Sequence, residues 1–247
     1  MIPIKTSQEI EKMRRGGHIL SLILDELEDM VKPGEATIGL EEAALAAMHK
    51  FKVISAFKGY RGYPANICVS VNEEVVHGIP GQRRLIDGDI VSIDIGIKFD
   101  GFFSDMAKTF AVGSIDASKQ RLLDATLGSL EEAIKQLKIG HRLSEVSCSV
   151  QRFVEAKGFS VVRDFVGHGI GRQLHEEPQI PNFKTSESGP LLENGMVLAI
   201  EPMINMGTWE IEVLQDGWTA VTKDRKPSAH FEHTIAIWDG EPQVLTQ

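Results

Sequence analysis

Two aspartates, Asp94 and Asp105, lie on either side of a chain reversal in the segment IVSIDIGIKFDGFFSDMAKTF, residues 90–110. The β-branched residues in its first half are typical of a strand, and Asp100-Gly101 is a strong hairpin signal. A turn made by residues 98–101 would place the two aspartates directly opposite each other, whereas a two-residue Asp100-Gly101 turn would place them diagonally. In both registers one cation could contact both carboxylates, and opposed like charges are unfavourable without one. The hairpin therefore predicts half of a metal site.

Three residues in the second half of the chain could complete this site. His168 lies between two glycines, Glu201 precedes a proline, and Glu232 lies in the strand pattern HFEHTIAIW. The first two also have ordinary interpretations, as a loop histidine and a strand-end glutamate. With period two, Ile235 and Ile237 take the face opposite to Glu232, so its own face must be polar or occupied. Four carboxylates and one imidazole, without sulfur, form a hard ligand set that suits two divalent ions, because one ion would leave two negative charges uncompensated.

Other catalytic motifs fit this sequence poorly. The segment GHGIGR, residues 167–172, lacks a Walker lysine, and the QLHEEP that follows it breaks any helix. His175 is followed by Glu-Glu-Pro, which is not an HExxH zinc helix. There is no GxSxG motif, and neither Cys68 nor Cys148 lies beside a histidine. These patterns disfavour phosphate-loop, zinc-helix and nucleophilic chemistry.

Composition narrows the setting in which the chain works. Its 247 residues contain 26 Lys+Arg and 35 Asp+Glu, and the net charge of -9 argues against nucleic-acid or anionic-membrane partners. Two cysteines without CxxC spacing provide neither a disulfide framework nor a thiolate zinc site, which favours a reducing compartment. The sequence shows no apolar signal segment and no run of about twenty apolar residues. We expect a cytoplasmic protein.

Local patterns predict the elements that would position these residues. Thr6 or Ser7 caps a helix whose apolar pattern runs through Leu27. The segment 73–81, which carries His77, is predicted to be a loop. Besides the hairpin, further helices are predicted at about 40–50, 118–138 and 144–157, and strands at 66–71, 159–165, 196–200, 210–214, 218–222 and 231–238.

An internal repeat organises these elements into two similar halves. The matches are KPG at 32–34 with KIG at 138–140, offset by 106, and GDIVSID at 88–94 with GMVLAIE at 195–201, offset by 107. The repeat predicts one α/β domain over residues 1–247, with half-repeats at about 1–112 and 113–247. Asp94 and Glu201 would then occupy corresponding places.

The chain closely resembles type I methionine aminopeptidases over nearly its whole length. The residues and motifs that carry the resemblance are Asp94, Asp105, His168, Glu201 and Glu232, with HGIPG at 77–81, GHGIGRQLHEEP at 167–178, AIEPM at 199–203, DGW at 216–218 and FEHT at 231–234. The resemblance implies the pseudo-twofold "pita-bread" fold, in which a curved, largely antiparallel sheet is covered by two helix pairs. This fold agrees with the repeat.

The resemblance also implies an activity, the removal of the initiator methionine from new polypeptides whose second residue is small. Two divalent ions, Mn, Fe, Co or Zn, would be bridged by Asp105 and Glu232; Asp94 would hold one of them, and His168 with Glu201 the other. A metal-bridging water would attack the scissile carbonyl while Glu201 shuttles the proton. His175 would donate to the oxyanion, and His77 would contact the substrate amide beyond the cleaved bond.

A methionine pocket and a second ion site follow from the same resemblance. The pocket would be formed by Tyr60, Tyr63, Cys68, Leu174 and Trp218. Asn72 and Ser228 match positions where relatives bind a monovalent cation, mostly through backbone oxygens. Two residues depart from the family pattern: Leu174 replaces an aromatic residue, which would loosen the pocket wall, and Gly96 replaces a hydroxyl residue, which would remove a hydrogen bond to a ligand.

Two other functions are compatible with parts of this pattern. An Xaa-Pro peptidase of the same superfamily would share all five ligands, but such enzymes generally carry an additional N-terminal domain, for which 247 residues leave no room. A non-catalytic pita-bread module that binds peptides or proteins would be expected to lack ligands, and none is missing. We therefore expect a monomeric enzyme acting on nascent polypeptide N-termini, with ribosome association left open and no nucleic-acid or membrane binding.

Overall fold

Four α-helices and fifteen strands make up the regular structure of residues 2–247, the part of the chain that this computed structural model describes. The helices are α1 (Ser7–Glu28), α2 (Thr37–Phe51), α3 (Ala117–Gln136) and α4 (Leu143–Glu155), with a short 3-10 helix at Tyr60–Gly62. The strands are β1 (Ile54–Ser55), β2 (Ile67–Val71), β3 (Glu74–Val76), β4 (Ile90–Phe99), β5 (Phe102–Ala111), β6 (Ser160–Val161), β7 (Gly167–Gly169), β8 (Glu176–Ile180), β9 (Val197–Ile200), β10 (Met203–Asn205), β11 (Ile211–Val213), β12 (Ala220–Thr222), β13 (Ser228–His230), β14 (Glu232–Trp238) and β15 (Glu241–Val244).

The first helix begins as its capping pattern predicts. The backbone N–H of Glu9 donates to the Thr6 hydroxyl at 3.3 Å, and the backbone N–H of Thr6 donates to the Glu9 carboxylate at 2.8 Å. Such a capping box typically contributes about 1 kcal/mol. The buried residues of α1 recur at helical spacing through Leu27, and the helix packs against α2, β4 and β5.

The other three helices exist where they were predicted, with shifted ends. Helix α2 begins three residues earlier than expected, at Thr37, and α3 begins at Ala117 because the Asp116 carboxylate accepts from the N–H groups of Ser118 and Lys119. Shifts of this size are common because frayed ends leave little pattern in a sequence.

A nine-stranded antiparallel sheet runs through the centre of the domain in the order β1-β4-β5-β14-β9-β7-β8, with β2 paired to β4 and β15 to β14. Two three-stranded sheets, β13-β10-β6 and β11-β12-β3, flank it. Helices α1 and α2 bury their apolar faces with β2 and β4, while α3 and α4 bury theirs with β9 and β14. Each helix pair therefore covers one half of the sheet, which confirms the predicted fold class.

Several strand predictions were wrong. The predicted strand 159–165 contains only Ser160–Val161, and the predicted loop 73–81 contains β3, whereas the predicted strand 231–238 corresponds to β14. Strands β1, β7, β8, β10, β13 and β15 were not predicted. Strand β2 is buried on both faces, not half-buried. These strands are short, and tertiary pairing stabilises them more than local propensity does.

The same backbone hydrogen bonds recur in the two halves. The bonds Gly34 N→Leu85 O (2.8 Å) and Leu85 N→Glu35 O (2.8 Å) have counterparts in Gly140 N→Leu192 O (3.0 Å) and Leu192 N→His141 O (2.8 Å). Their offsets are the 106 and 107 residues of the sequence repeat. This recurrence supports the interpretation of two similar halves; their boundary at about residue 112 stays a prediction.

Candidate active site

The hairpin adopts the diagonal register. Asp100 and Gly101 form a two-residue turn with φ angles of 46° and 86°, as a type I′ turn requires. Asp94 pairs with Ala107, and Asp105 pairs with Gly96. The direct register was therefore wrong. Asp94 lies on the same face of the sheet as its partner Ala107. Asp105 is two residues from Ala107 on the same strand, so both carboxylates still lie on that face.

Four neighbouring central strands bring the four carboxylates together. Ala107 on β5 lies opposite Asp94 on β4 and, on its other side, opposite Glu232 on β14. Glu201 directly follows β9, which pairs with β14. A small side chain at position 107 thus leaves space in the middle of the carboxylate group.

Two threonine hydroxyls tie β5 to its neighbours, one to β14 and the other to β13. The Thr234 hydroxyl accepts from the backbone N–H of Asp105 at 3.0 Å and donates to its carbonyl at 2.8 Å. The Thr109 hydroxyl does the same for His230, at 2.8 Å in both directions. The backbones that carry Asp105 and His230 are therefore held by side chains at places where the regular ladder is interrupted.

His168 lies on β7, next to β9, with its orientation set by its own backbone. Its Nδ1 lies 2.8 Å from the Gly169 carbonyl, so Nδ1 carries the proton and the lone pair of Nε2 faces the carboxylates. Nε2 lies 3.5 Å from Glu201 Oε1. Ligand atoms of Asp105, His168 and Glu232 all lie within 4.8 Å of one another.

The buried carboxylates need a cation. Oδ1 of Asp94, Oδ1 of Asp105 and Oε1 of Glu232 are buried and have no hydrogen-bonding partner in residues 2–247. Burial raises the pKa of Asp94 to about 7, and burial together with the neighbouring carboxylates raises the pKa of Asp105 and Glu232 well above its usual range. The pKa of Glu201 is raised well above its usual range by burial and by the charge of Asp94. An anionic group of this kind is stable when ionised only beside bound positive charge, and its oxygen and nitrogen donors fit divalent metal ions.

A cavity of about 250 Å³ opens directly onto these carboxylates. Every predicted metal ligand and substrate contact lines it: Asp94, Asp105, His168, Glu201, Glu232, His77, His175, Tyr60, Tyr63, Cys68, Leu174 and Trp218. Asn72 and Ser228 do not line it. They lie against each other, with the Ser228 N–H donating to the Asn72 carbonyl at 2.8 Å.

His175 is held against Tyr60. The two rings stack with centroids 5.1 Å apart, and His175 Nδ1 lies 2.8 Å from the Tyr60 hydroxyl. The His175 ring also lies 4.2 Å from that of His168. Burial lowers the pKa of His175 to about 3, so this imidazole is neutral at pH 7. If the hydroxyl donates to Nδ1, the proton of His175 is on Nε2.

One part of the cavity lining is apolar. The Tyr63 hydroxyl lies 3.2 Å from the Ile67 carbonyl and 3.0 Å from that of Gly78, and its ring makes an edge contact with Trp218 at 5.1 Å. Cys68 on β2 lies opposite Asp94 on β4. The aromatic rings and the thiol thus form a pocket beside the carboxylates.

Leu174 and Gly96, the two residues that depart from the family pattern, have different surroundings. Leu174 is buried in the apolar cluster beside this pocket. At Gly96, a Cβ would lie 2.7 Å from the Phe57 ring and 3.2 Å from Asp105 Oδ1. Glycine therefore allows Phe57 to approach, and it leaves Asp105 Oδ1 without the neighbouring donor that a hydroxyl residue would provide.

Several residues that line the cavity were not predicted from the sequence. The clearest are His230, Arg61, Phe165 and Met203. His230 is buried, both of its ring nitrogens lack hydrogen-bonding partners within the described chain, and Nε2 lies 4.0 Å from Glu232 Oε2. The signal in the sequence that could have identified His230 is its spacing of two residues from Glu232.

A buried carboxylate and imidazole set at the bottom of a cavity defines a metal-dependent hydrolase site. A family model described as metallopeptidase family M24 matches residues 11–239. The methionine aminopeptidase of Clostridium perfringens is 49% identical over 246 residues, covering 100% of this chain and 99% of that protein. That of Escherichia coli K12 is 45% identical, covering 99% of this chain and 94% of that protein. The chain therefore belongs to metallopeptidase family M24 and, within it, to the methionine aminopeptidases.

Solved structures agree with this assignment. The methionine aminopeptidase of Thermotoga maritima matches with a TM-score of 0.97 and 48% identity, covering 100% of both chains. The prolidase of Pyrococcus furiosus matches with a TM-score of 0.79 and 21% identity, covering 99% of this chain and 65% of the prolidase. The second match shows a shared fold alone. None of the helices in residues 2–247 is long and apolar enough to span a membrane.

Proposed function

We propose that the protein removes N-terminal methionine from polypeptides whose second residue is small, using two divalent metal ions. The observation that supports this most strongly is the single cavity in which a buried carboxylate group meets an apolar pocket containing a thiol and aromatic rings. The names of the full-length relatives agree with the activity.

Five residues would hold the ions: Asp94, Asp105, His168, Glu201 and Glu232. The orphaned oxygens of Asp94, Asp105 and Glu232 and the free Nε2 of His168 support this set. Bound ions would lower the pKa of water and polarise the scissile carbonyl. Manganese, iron, cobalt and zinc all accept such ligands, and the donor types do not select among them.

Glu201, which is also one of these five, and two further side chains would handle protons and substrate. Glu201, whose pKa is raised by burial, is suited to take and return a proton beside the scissile bond. His175 is neutral, and an Nε2–H fixed by Tyr60 would donate to the developing oxyanion. His77, whose pKa burial lowers, would contact the substrate amide beyond the cleaved bond.

The first residue of the substrate would occupy the apolar end of the cavity. Tyr63, Cys68 and Trp218 form a surface of aromatic rings and sulfur, which suits a thioether. Leu174 and Tyr60 complete it. A charged or branched first residue would lose these contacts, so the pocket would select methionine.

The proposal also includes a second ion site, a cellular compartment and an oligomeric state. Asn72 and Ser228 are proposed to bind a monovalent cation, in support of which Asn72 takes a left-handed φ of 56° and its carbonyl lies at the junction with β13. We propose that the protein acts in the cytoplasm as a monomer on nascent chains. An Xaa-Pro specificity has only the shared fold in its support.

Peptide hydrolysis tests the proposal. With added Mn, Co or Fe, the purified protein should release methionine from Met-Ala-Ser and leave Ala-Pro-Ala intact. Asp105→Asn and Glu201→Ala should each abolish release while circular dichroism shows a folded chain, and Asp124→Asn, on the exposed face of α3, should behave as the wild type. Turnover of the proline peptide alone, or wild-type activity in Asp105→Asn, would refute it.

A further inference from the structure

A single fixed positive charge lines the catalytic cavity. Among the cavity-lining residues that the structure describes, Arg61 is the only lysine or arginine, and it is exposed at the mouth while the carboxylates lie deeper. The histidines that line the same cavity have lowered pKa values and are neutral at pH 7. The Arg61 guanidinium is therefore the group that could bind a negatively charged part of a ligand at the mouth of the cavity.

A tight turn holds Arg61 in place. Gly59, Arg61 and Gly62 take φ angles of 83°, 50° and 92°, and the backbone N–H of Gly59 donates to the Tyr63 carbonyl at 2.8 Å. A positive φ is uncommon for arginine, so the turn requires a conformation that the side chain itself does not favour. The Arg61 guanidinium lies 5.4 Å from the centre of the Tyr60 ring. Tyr60 in turn stacks on His175, so the charge is placed at a defined distance from the reacting groups.

The Arg61 guanidinium is available to a ligand. Arg83 lies 2.9 Å from Glu74 and Arg172 lies 2.7 Å from Glu9, each in an ion pair. Arg61 has no carboxylate within ion-pair distance in residues 2–247, and its guanidinium lies over the Tyr60 ring instead. An unpaired arginine beside a substrate cavity, in a chain of net charge -9, favours anionic ligands there.

The position of Arg61 selects which part of a peptide it would meet. With the first side chain of the substrate in the apolar pocket of the proposed function, each further residue of an extended peptide advances by about 3.3–3.6 Å toward solvent. We propose that Arg61 is a specificity-determining residue that binds an acidic side chain at the third position of the substrate. This inference rests on the proposed methionine-removing function.

Matched peptides measure this preference. The probes are Met-Ala-Asp-Ser, Met-Ala-Ser-Ser and Met-Ala-Lys-Ser, assayed with the Mn-loaded enzyme at low ionic strength. Because an exposed ion pair is weak, and exchange of Asp for Lys reverses the sign, we expect kcat/KM for the Asp peptide to exceed that for the Lys peptide by about three- to tenfold. The ratio should shrink in 0.5 M NaCl, because salt screens exposed charges.

Variants assign the effect to the side chain. Arg61→Gln should bring the Asp/Lys ratio close to one, Arg61→Glu should invert it, and Arg61→Lys should retain most of it. Arg121→Gln is the control, because Arg121 is exposed on α3, away from the cavity, and its loss changes the net charge equally. The proposal is wrong if the wild type shows no preference or if Arg121→Gln removes it as well. Absence of methionine release from all three peptides would instead refute the proposed function.

Discussion

Lys5 Nζ lies 2.5 Å from Glu176 Oε2, and the two side chains are 4% and 7% exposed. Glu176 follows the oxyanion-stabilising candidate His175, and its other oxygen accepts from the backbone N–H groups of Arg172 and Gln173 at 2.7 and 3.1 Å. The segment before α1 is therefore linked by a buried ion pair to the turn that carries His175.

Removal of one partner of this pair should weaken both the fold and the reaction. Lys5→Met leaves the Glu176 carboxylate buried without its cation, and such changes cost about 3–5 kcal/mol. We expect a lower urea midpoint and a lower kcat, since the turn that carries His175 loses an anchor. Lys12→Met is the control, because Lys12 and Asp100 form an exposed pair. Equal stability losses in the two variants would contradict the assigned importance of burial.

The two bridging threonines make a second pair of matched variants. Thr234→Val keeps the shape of the side chain but leaves the backbone N–H and carbonyl of Asp105 without their hydroxyl partner, which should cost about 1–3 kcal/mol. Because Asp105 is a candidate ligand, we also expect metal affinity to fall by about 10–100-fold.

Thr109→Val provides the comparison. It should destabilise the fold at least as much, since it removes the same two contacts from His230 and also a contact with the Ser92 hydroxyl at 2.8 Å. Its effect on metal affinity, measured by titration calorimetry with MnCl2, should be smaller because His230 is outside the proposed ligand set. A larger loss of affinity in Thr109→Val than in Thr234→Val would reverse this assignment.

Metal binding should release protons. In the metal-free fold the pKa of Asp94 is raised to about 7 by burial, so at pH 6.5 most of this carboxyl is protonated and must ionise to bind a cation. Titrations with MnCl2 in two buffers of different ionisation enthalpy should show net proton release, and Asp94→Asn should reduce it. Identical apparent enthalpies in the two buffers would contradict the prediction.

The stability of the metal-free protein should also depend on pH, because its buried carboxyls have raised pKa values. A carboxyl whose folded pKa exceeds its unfolded value binds a proton in the fold that the unfolded chain has lost, so stability falls as pH rises toward the folded pKa. The buried histidines have lowered pKa values and oppose this trend only below about pH 6.5, where the unfolded chain protonates. Above that pH we expect the melting temperature of chelated protein to fall, and added MnCl2 to restore it.

Tyr60→Phe tests how His175 is oriented. The substitution keeps the ring stack but removes the hydroxyl that lies 2.8 Å from Nδ1. Loss of one such hydrogen bond is worth about 1 kcal/mol, which corresponds to a fall in kcat of about fivefold. KM should change less than kcat. A rise in KM at constant kcat would assign Tyr60 to substrate binding alone.

Local patterns in the sequence were sufficient to predict the helices and the types of residue that could bind metal. The capping box at Thr6, the spacing of apolar residues and the Asp100-Gly101 turn depend on near neighbours, and each formed where it was predicted. The ligand candidates followed from donor chemistry and charge. The repeat predicted which carboxylates would face each other, because an offset of 107 links Asp94 to Glu201.

The tertiary structure decided what depends on distant residues. The diagonal register of Asp94 and Asp105, the short strands β7, β8, β10 and β15, and the positions of His230 and Arg61 in the cavity arise from pairing between segments far apart in sequence. Short strands have too little local propensity to be recognised before their partners are known. Asp105 Oδ1 and the ring nitrogens of His230 are buried without hydrogen-bonding partners, and this can be recognised only when the positions of all surrounding groups are known.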